Sequence, residues 1–90
     1  MAVDTKNNHN WYVRRGGEVR GPFPAGLVSR YVLLGRIRLS DEVSHDRAEW
    51  YAVSQVRDLV PDVMLEAAAH ADDEKAQRRL EAARRWADER

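Results

Sequence analysis

The feature that most constrains this chain is the pair Gly16-Gly17, which interrupts the stretch "NWYVRRGGEVRG" between Asn10 and Gly21. On either side lie residues that favour extended backbone: Trp11, Tyr12 and Val13 before it, Val19 after it. A two-residue link between antiparallel strands needs positive φ at its centre, which glycine adopts without steric cost. The stretch therefore predicts a tight hairpin, and the hairpin dictates a register. Arg15 falls opposite Glu18 and Val13 opposite Arg20. Because side chains alternate along a strand, Trp11, Val13 and Arg15 share one face with Arg20.

The chain then turns at Gly21-Pro22. Pro24 suits a helix start, where its missing N–H is not needed. From Ala25 to Leu34 the spacing of three and four puts Val28, Tyr31 and Val32 on one side of a helix, and Gly35 closes it. "RIRLSDEVSHDRAEWYAV" predicts short strands at Glu42 to Ser44 and Trp50 to Val53, joined by the turn-rich "SHDRAE". "SQVRDLV" reads as one or two helical turns, with Ser54 as N-cap and Val56, Leu59 and Val60 inward. Trp50 is expected in the core.

Composition changes at Pro61. Before it lie all three Tyr, the one Phe, two of the three Trp and all five Gly. After it Ala, Arg, Glu and Asp dominate, with neither Gly nor a further Pro. Three segments follow: a disordered N-terminus at 1–9, a globular part at 10–60, and a charged helical tail or stalk at 61–90. Residues from Asp62 onward read as one helix, with Glu74–Arg78 and Glu81–Arg85 as supporting pairs. Val63, Met64 and Leu65 are candidates for packing back on the globular part. Ala67, Ala71, Leu80, Ala83 and Ala87 make a thin stripe suited to weak self-association at most. The favoured reading is a solvated stalk, and "ARRW" near its end suits a membrane surface. The expected fold class is α+β: a small antiparallel sheet with one packed helix, followed by a long C-terminal helix.

Several function classes drop out. The chain has no cysteine, which removes disulfides and thiolate metal sites. Its formal net charge is zero, against wholesale phosphate neutralisation, so nucleic acid is not an expected partner. His9, His45 and His70 lack ligand spacing, so no metal is expected. "SHD" at Ser44-His45-Asp46 spells the letters of a hydrolase triad, but neighbours on an extended chain point to opposite faces. "RRGGEVRG" lacks the Lys-Ser/Thr and helix of a phosphate loop. Neither catalytic residues nor a cofactor is expected. "MAVDTKNNHN" lacks the apolar core of a signal peptide, and no apolar run approaches the roughly 20 residues of a membrane span. The expectation is a cytoplasmic chain, or the cytoplasmic part of a membrane-associated protein.

From Trp11 to Leu59 the chain resembles the GYF domain, in its bacterial GYF-like branch. The residues that carry the likeness are "WYV", Gly21-Pro22-Phe23, the helix ending in Gly35, Trp50 and the closing "VRDL". The resemblance implies an adaptor that holds proline-rich peptides in an aromatic cradle. Position by position, the cradle Phe corresponds to Phe23 and the helix Trp to Tyr31. The namesake Gly-Tyr-Phe corresponds to Gly35-Arg36-Ile37, and two strand aromatics to Arg15 and Arg20. It also implies a membrane-anchored context beyond Arg90.

Six arginines lie between Arg14 and Arg38 against one acid, Glu18. Arginine forks onto carboxylates and stacks on aromatic rings. The expected role is therefore a protein-interaction module for an extended, proline-containing and acidic peptide of a partner protein. Phe23 and Tyr31 form the floor, Trp11 and Val13 one wall, and Arg15, Arg20 and Arg36 the rim. The chain is expected to be monomeric or weakly self-associating. The rival reading is a structural, oligomerising or membrane-proximal element in which the C-terminal helix carries the role.

Overall fold

A computed structural model of the chain describes residues 10–88. The expected disorder at 1–9 and His9 fall outside the described residues. The hairpin forms as its glycines dictate. Strand β1 (Asn10–Arg15) pairs antiparallel with β2 (Glu18–Pro24), with Arg15 opposite Glu18 and Val13 opposite Arg20. Gly16 and Gly17 take φ of 55° and 93°. β3 (Glu42–Ser44) pairs with the other edge of β1, and β4 (Tyr51–Ala52) with β3, giving a four-stranded antiparallel sheet in the order β2-β1-β3-β4.

β2 runs through Gly21-Pro22, a cis peptide bond, as far as Pro24, and the register shifts between Trp11 and Val13. At the shift Gly21 has φ of 115°, and a Cβ on it would lie 2.9 Å from the Trp11 carbonyl oxygen. Only glycine fits there without displacing backbone.

Helix α1 (Ala25–Leu33) starts after Pro24 and ends at Leu34. Gly35 follows at φ of 80°, and the Gly35 and Arg36 N–H groups donate to the carbonyls of Val32 and Tyr31. This closure satisfies carbonyls that the last turn leaves without partners. Val28 and Val32 enter the core with Val13, Val43, Val53 and Leu59, most of them without solvent contact. The "SQVRDLV" stretch makes two short 3-10 turns, Val53–Gln55 and Arg57–Leu59. Leu59 and Val60 point inward as expected, but Ser54 lies inside the first turn and caps nothing. Trp50 is not core. It lies half-buried at the surface with the Arg14 guanidinium 4.1 Å from its ring centre, and Arg14 also bridges to Glu42 at 2.8 Å.

The tail departs from the single solvated helix expected. It makes two helices, α2 (Asp62–Ala69) and α3 (Glu74–Asp88). His70 leaves helical geometry at φ −126°, ψ 60°. Asp73 then caps α3: its carboxylate accepts from the Lys75 N–H at 2.9 Å, and its carbonyl from the Gln77 N–H at 3.2 Å. Short acidic side chains compete with helical bonding in this way and favour the N-cap. The Gln77 amide donates back to the Ala67 carbonyl at 2.9 Å, joining the two helices. Met64 and Leu65 pack on the core, and Ala67, Ala76 and Ala87 are buried. Nor is α3 a stalk, because it lies against α1. Arg30 of α1 donates to the Ala87 carbonyl at 2.7 Å, and Arg84 of α3 donates to the Leu33 carbonyl at 3.0 Å. Each arginine takes up an orphan carbonyl at the other helix's negative end. No helix among the described residues is long and apolar enough to cross a membrane.

Candidate functional site

A groove of about 400 Å³ opens between the hairpin, α1 and the segment after Gly35. The hairpin register sends Val13 and Arg15 of β1 and Arg20 and Phe23 of β2 into it. Helix periodicity brings Tyr31 from the other side, and the closure at Gly35 delivers Arg36 and Ile37. Phe23 and Tyr31 meet edge to face, with ring centres 6.2 Å apart at 82°, and both are only partly buried. They pack on the core beneath while their outer surfaces line the groove.

Six of the seven expected residues thus line one groove: Val13, Arg15, Arg20, Phe23, Tyr31 and Arg36. Trp11 does not. It is buried with its ring centre 3.7 Å from that of His45, whose Nδ1 lies 2.9 Å from the Asn10 carbonyl oxygen.

The arginines divide by what they touch. Arg15, expected at the rim, is tied to the groove's base. Its Nε lies 3.0 and 3.2 Å from the two oxygens of Asp41, and its Nη2 lies 2.7 Å from Asp41 Oδ2. The same Nη2 donates to the Arg36 carbonyl at 3.0 Å. Arg15 therefore fixes the segment that carries Arg36 rather than waiting for a ligand. Arg14 is held by Glu42 and Trp50, and Arg30 by the Ala87 carbonyl, so the single cationic surface anticipated from the sequence is broken up. Arg20 and Arg36 remain at the rim with loose partners. Arg20 lies 3.4 Å from Glu18, with both side chains about 70 % exposed. Arg36 lies 3.8 Å from Asp88, and its guanidinium sits 5.8 Å from the centre of the Tyr31 ring.

Asp41 is the residue that sequence reasoning missed. Only 5 % of it is exposed, and besides Arg15 it accepts from the Arg38 N–H at 2.9 Å. Burial pushes its carboxyl upward, but the Arg15 guanidinium and the Arg38 N–H outweigh that and hold it below the usual carboxylate value. The bond to Asp41 in turn raises Arg15 above its ordinary value. Ser-Asp after two arginines marks a turn. The partner in ion pairing stands 26 positions earlier and carries no local signal.

The "SHD" letters resolve into a turn. Ser44 Oγ donates to Asp46 at 2.9 Å, and the Asp46 carboxylate accepts from the Ala48 and Glu49 N–H groups. Those two N–H donors, with Ser44, pull Asp46 down to about 2. His45 points instead to Asn10 and Trp11. The described residues hold no cluster of His, Cys, Asp or Glu able to bind a metal ion.

No family model, curated protein or solved structure matches this chain.

Proposed function

We propose that the chain is a non-enzymatic protein-interaction module of the GYF type, holding an extended, proline-containing segment of a partner protein in the groove over Phe23 and Tyr31. The observation that carries this reading is the edge-to-face Phe23–Tyr31 pair, half open to solvent and rimmed by the loosely held Arg20 and Arg36. Proline-rich segments already populate an extended helix, so docking them costs little chain entropy. Their rings suit aromatic faces, and their carbonyls accept from donors at the rim. Two exposed arginines add a preference for acidic neighbours in the ligand, worth roughly 0.2–1 kcal/mol per pair and weakened by salt. A cytoplasmic setting belongs to the same reading.

The test is an NMR titration of the full chain with a neutral proline-rich peptide. Signals of Phe23, Tyr31 and Arg36 should move together. Phe23→Ala should abolish the shifts while costing about 1–2 kcal/mol of stability, less than the roughly 3–5 kcal/mol for a fully buried Phe. A peptide that leaves all three signals unmoved at millimolar concentration refutes the reading.

A further inference from the structure

A second cleft, of about 350 Å³, lies beside the first and is lined by Leu34, Arg36, Arg84, Arg85 and Asp88. Arg36 lines both. Arg36 therefore stands between the aromatic floor and the end of α3. Among the described residues this second cleft is lined by three arginines and a single acid. The helix carbonyls there are already in use: Leu33 accepts from Arg84, and Ala87 from Arg30. The Arg85 side chain is exposed and makes neither an ion pair nor a hydrogen bond among the described residues. Among the described residues the Arg36 guanidinium has Asp88 at 3.8 Å and the Tyr31 ring centre at 5.8 Å, with the Arg36 and Asp88 side chains more than 60 % exposed.

We infer that the ligand is a proline segment with its acidic residues grouped at one end, and that this end lies in the second cleft against Arg36 and Arg85. The inference rests on the proposed peptide-binding reading and adds to it the placement of charge. Acids at the opposite end would meet a single arginine, Arg20, with Glu18 beside it, and would gain less. Acids at the α3 end meet Arg36 and Arg85, with Asp88 as the one carboxylate among the described residues lining that cleft. Leu34 provides an apolar contact at the junction.

Three synthetic peptides test this on the full chain by NMR titration: a neutral proline-rich peptide, and the same peptide with three aspartates at its N- or its C-terminal end. A polyproline helix can lie in a groove in either direction, so both placements are needed. At low salt one acidic peptide should bind about two- to tenfold more tightly than the neutral one, as two exposed ion pairs allow. Its shifts should include Arg85 as well as Phe23 and Tyr31. Arg85→Gln should remove part of that gain and Arg85→Glu all of it, with neutral-peptide binding unchanged in both. If the neutral peptide binds and neither acidic peptide binds more tightly, the inference is overturned while the groove reading stands. The same follows if the gain survives Arg85→Glu, or if an acidic peptide binds without moving Phe23 and Tyr31. If the neutral peptide does not bind, the groove reading itself falls, whatever the acidic peptides do.

Discussion

Replacing Asp41 should loosen the base of the groove. In Asp41→Ala the Arg38 N–H loses its acceptor, and Arg15 loses the carboxylate that holds its Nε and Nη2. The two losses are unequal. Arg15 is 49 % exposed on its side chain, so water takes over its bonds, whereas Asp41 is 5 % exposed. The Arg38 N–H bond is partly buried and charge-assisted, and hydrogen bonds to charged groups contribute about 1.5–3 kcal/mol. Asp41→Ala should therefore lose about 2 kcal/mol, a fall in melting temperature of roughly 10 °C for a chain of this size. Asp41→Asn keeps an oxygen for the Arg38 N–H and should lose less. The carboxyl's value is lowered by folding, so its contribution is present above the unfolded carboxylate value, about 3.9. It is lost as pH falls through the lower folded value. Thermal melts between pH 7 and pH 2 should show that acid-dependent loss in the natural chain and a smaller one in Asp41→Asn. The released Arg15 should also free the Arg36 carbonyl, so the Arg36 amide signals should broaden. An Asp41→Ala variant that melts with the natural chain, or an Asp41→Asn variant with an unchanged acid profile, refutes the argument.

Gly21→Ala should lose roughly 1–3 kcal/mol, because a φ of 115° is strained for alanine and its Cβ would stand 2.9 Å from the Trp11 carbonyl oxygen. A normal melting temperature would show that the hairpin shifts to make room. Arg30→Ala should free the Ala87 carbonyl and speed hydrogen exchange in the last turn of α3 while leaving the sheet amides protected. Unchanged exchange there would mean that α3 is held by its alanine packing alone.

The hairpin was legible because two glycines fix a turn, and the turn fixes the register of every residue up to Arg20. The helix was legible from the spacing of Val28, Tyr31 and Val32 and from Gly35. Register and helix phase placed Val13 with Arg20 on one strand face and Tyr31 on one helix face, whereas Phe23 and Arg36 entered the set through the resemblance to the GYF domain. Trp11 was misassigned because strand alternation gives the face but not the depth. At the shift in register beside Gly21 it sinks against His45, which lies 34 positions away in sequence, as the two residue numbers show. Arg15 has the right position and the wrong role, because its partner Asp41 arrives through tertiary structure. The break at His70–Asp73 had a signal, an Asp able to cap. The alanine-rich surroundings and the i,i+4 pairs that follow it outweighed it.

The exchange of arginines between α1 and α3 has a consequence for how this chain can change over generations. Arg30 and Arg84 each recognise a backbone carbonyl, at Ala87 and Leu33. A carbonyl is the same whatever side chain its residue bears, so the bond places its whole demand on the donor. Position 87 is then answerable only for volume, being almost completely enclosed, and position 33 for volume and apolarity. Substitutions there that keep size leave the helix junction intact, whereas loss of either arginine has no counterpart that could restore it from the opposite helix. Sequences descended from this one should keep arginine at 30 and 84 and drift within size limits at 33 and 87. No correlated exchange is expected between the two members of either pair, although each pair is in direct contact.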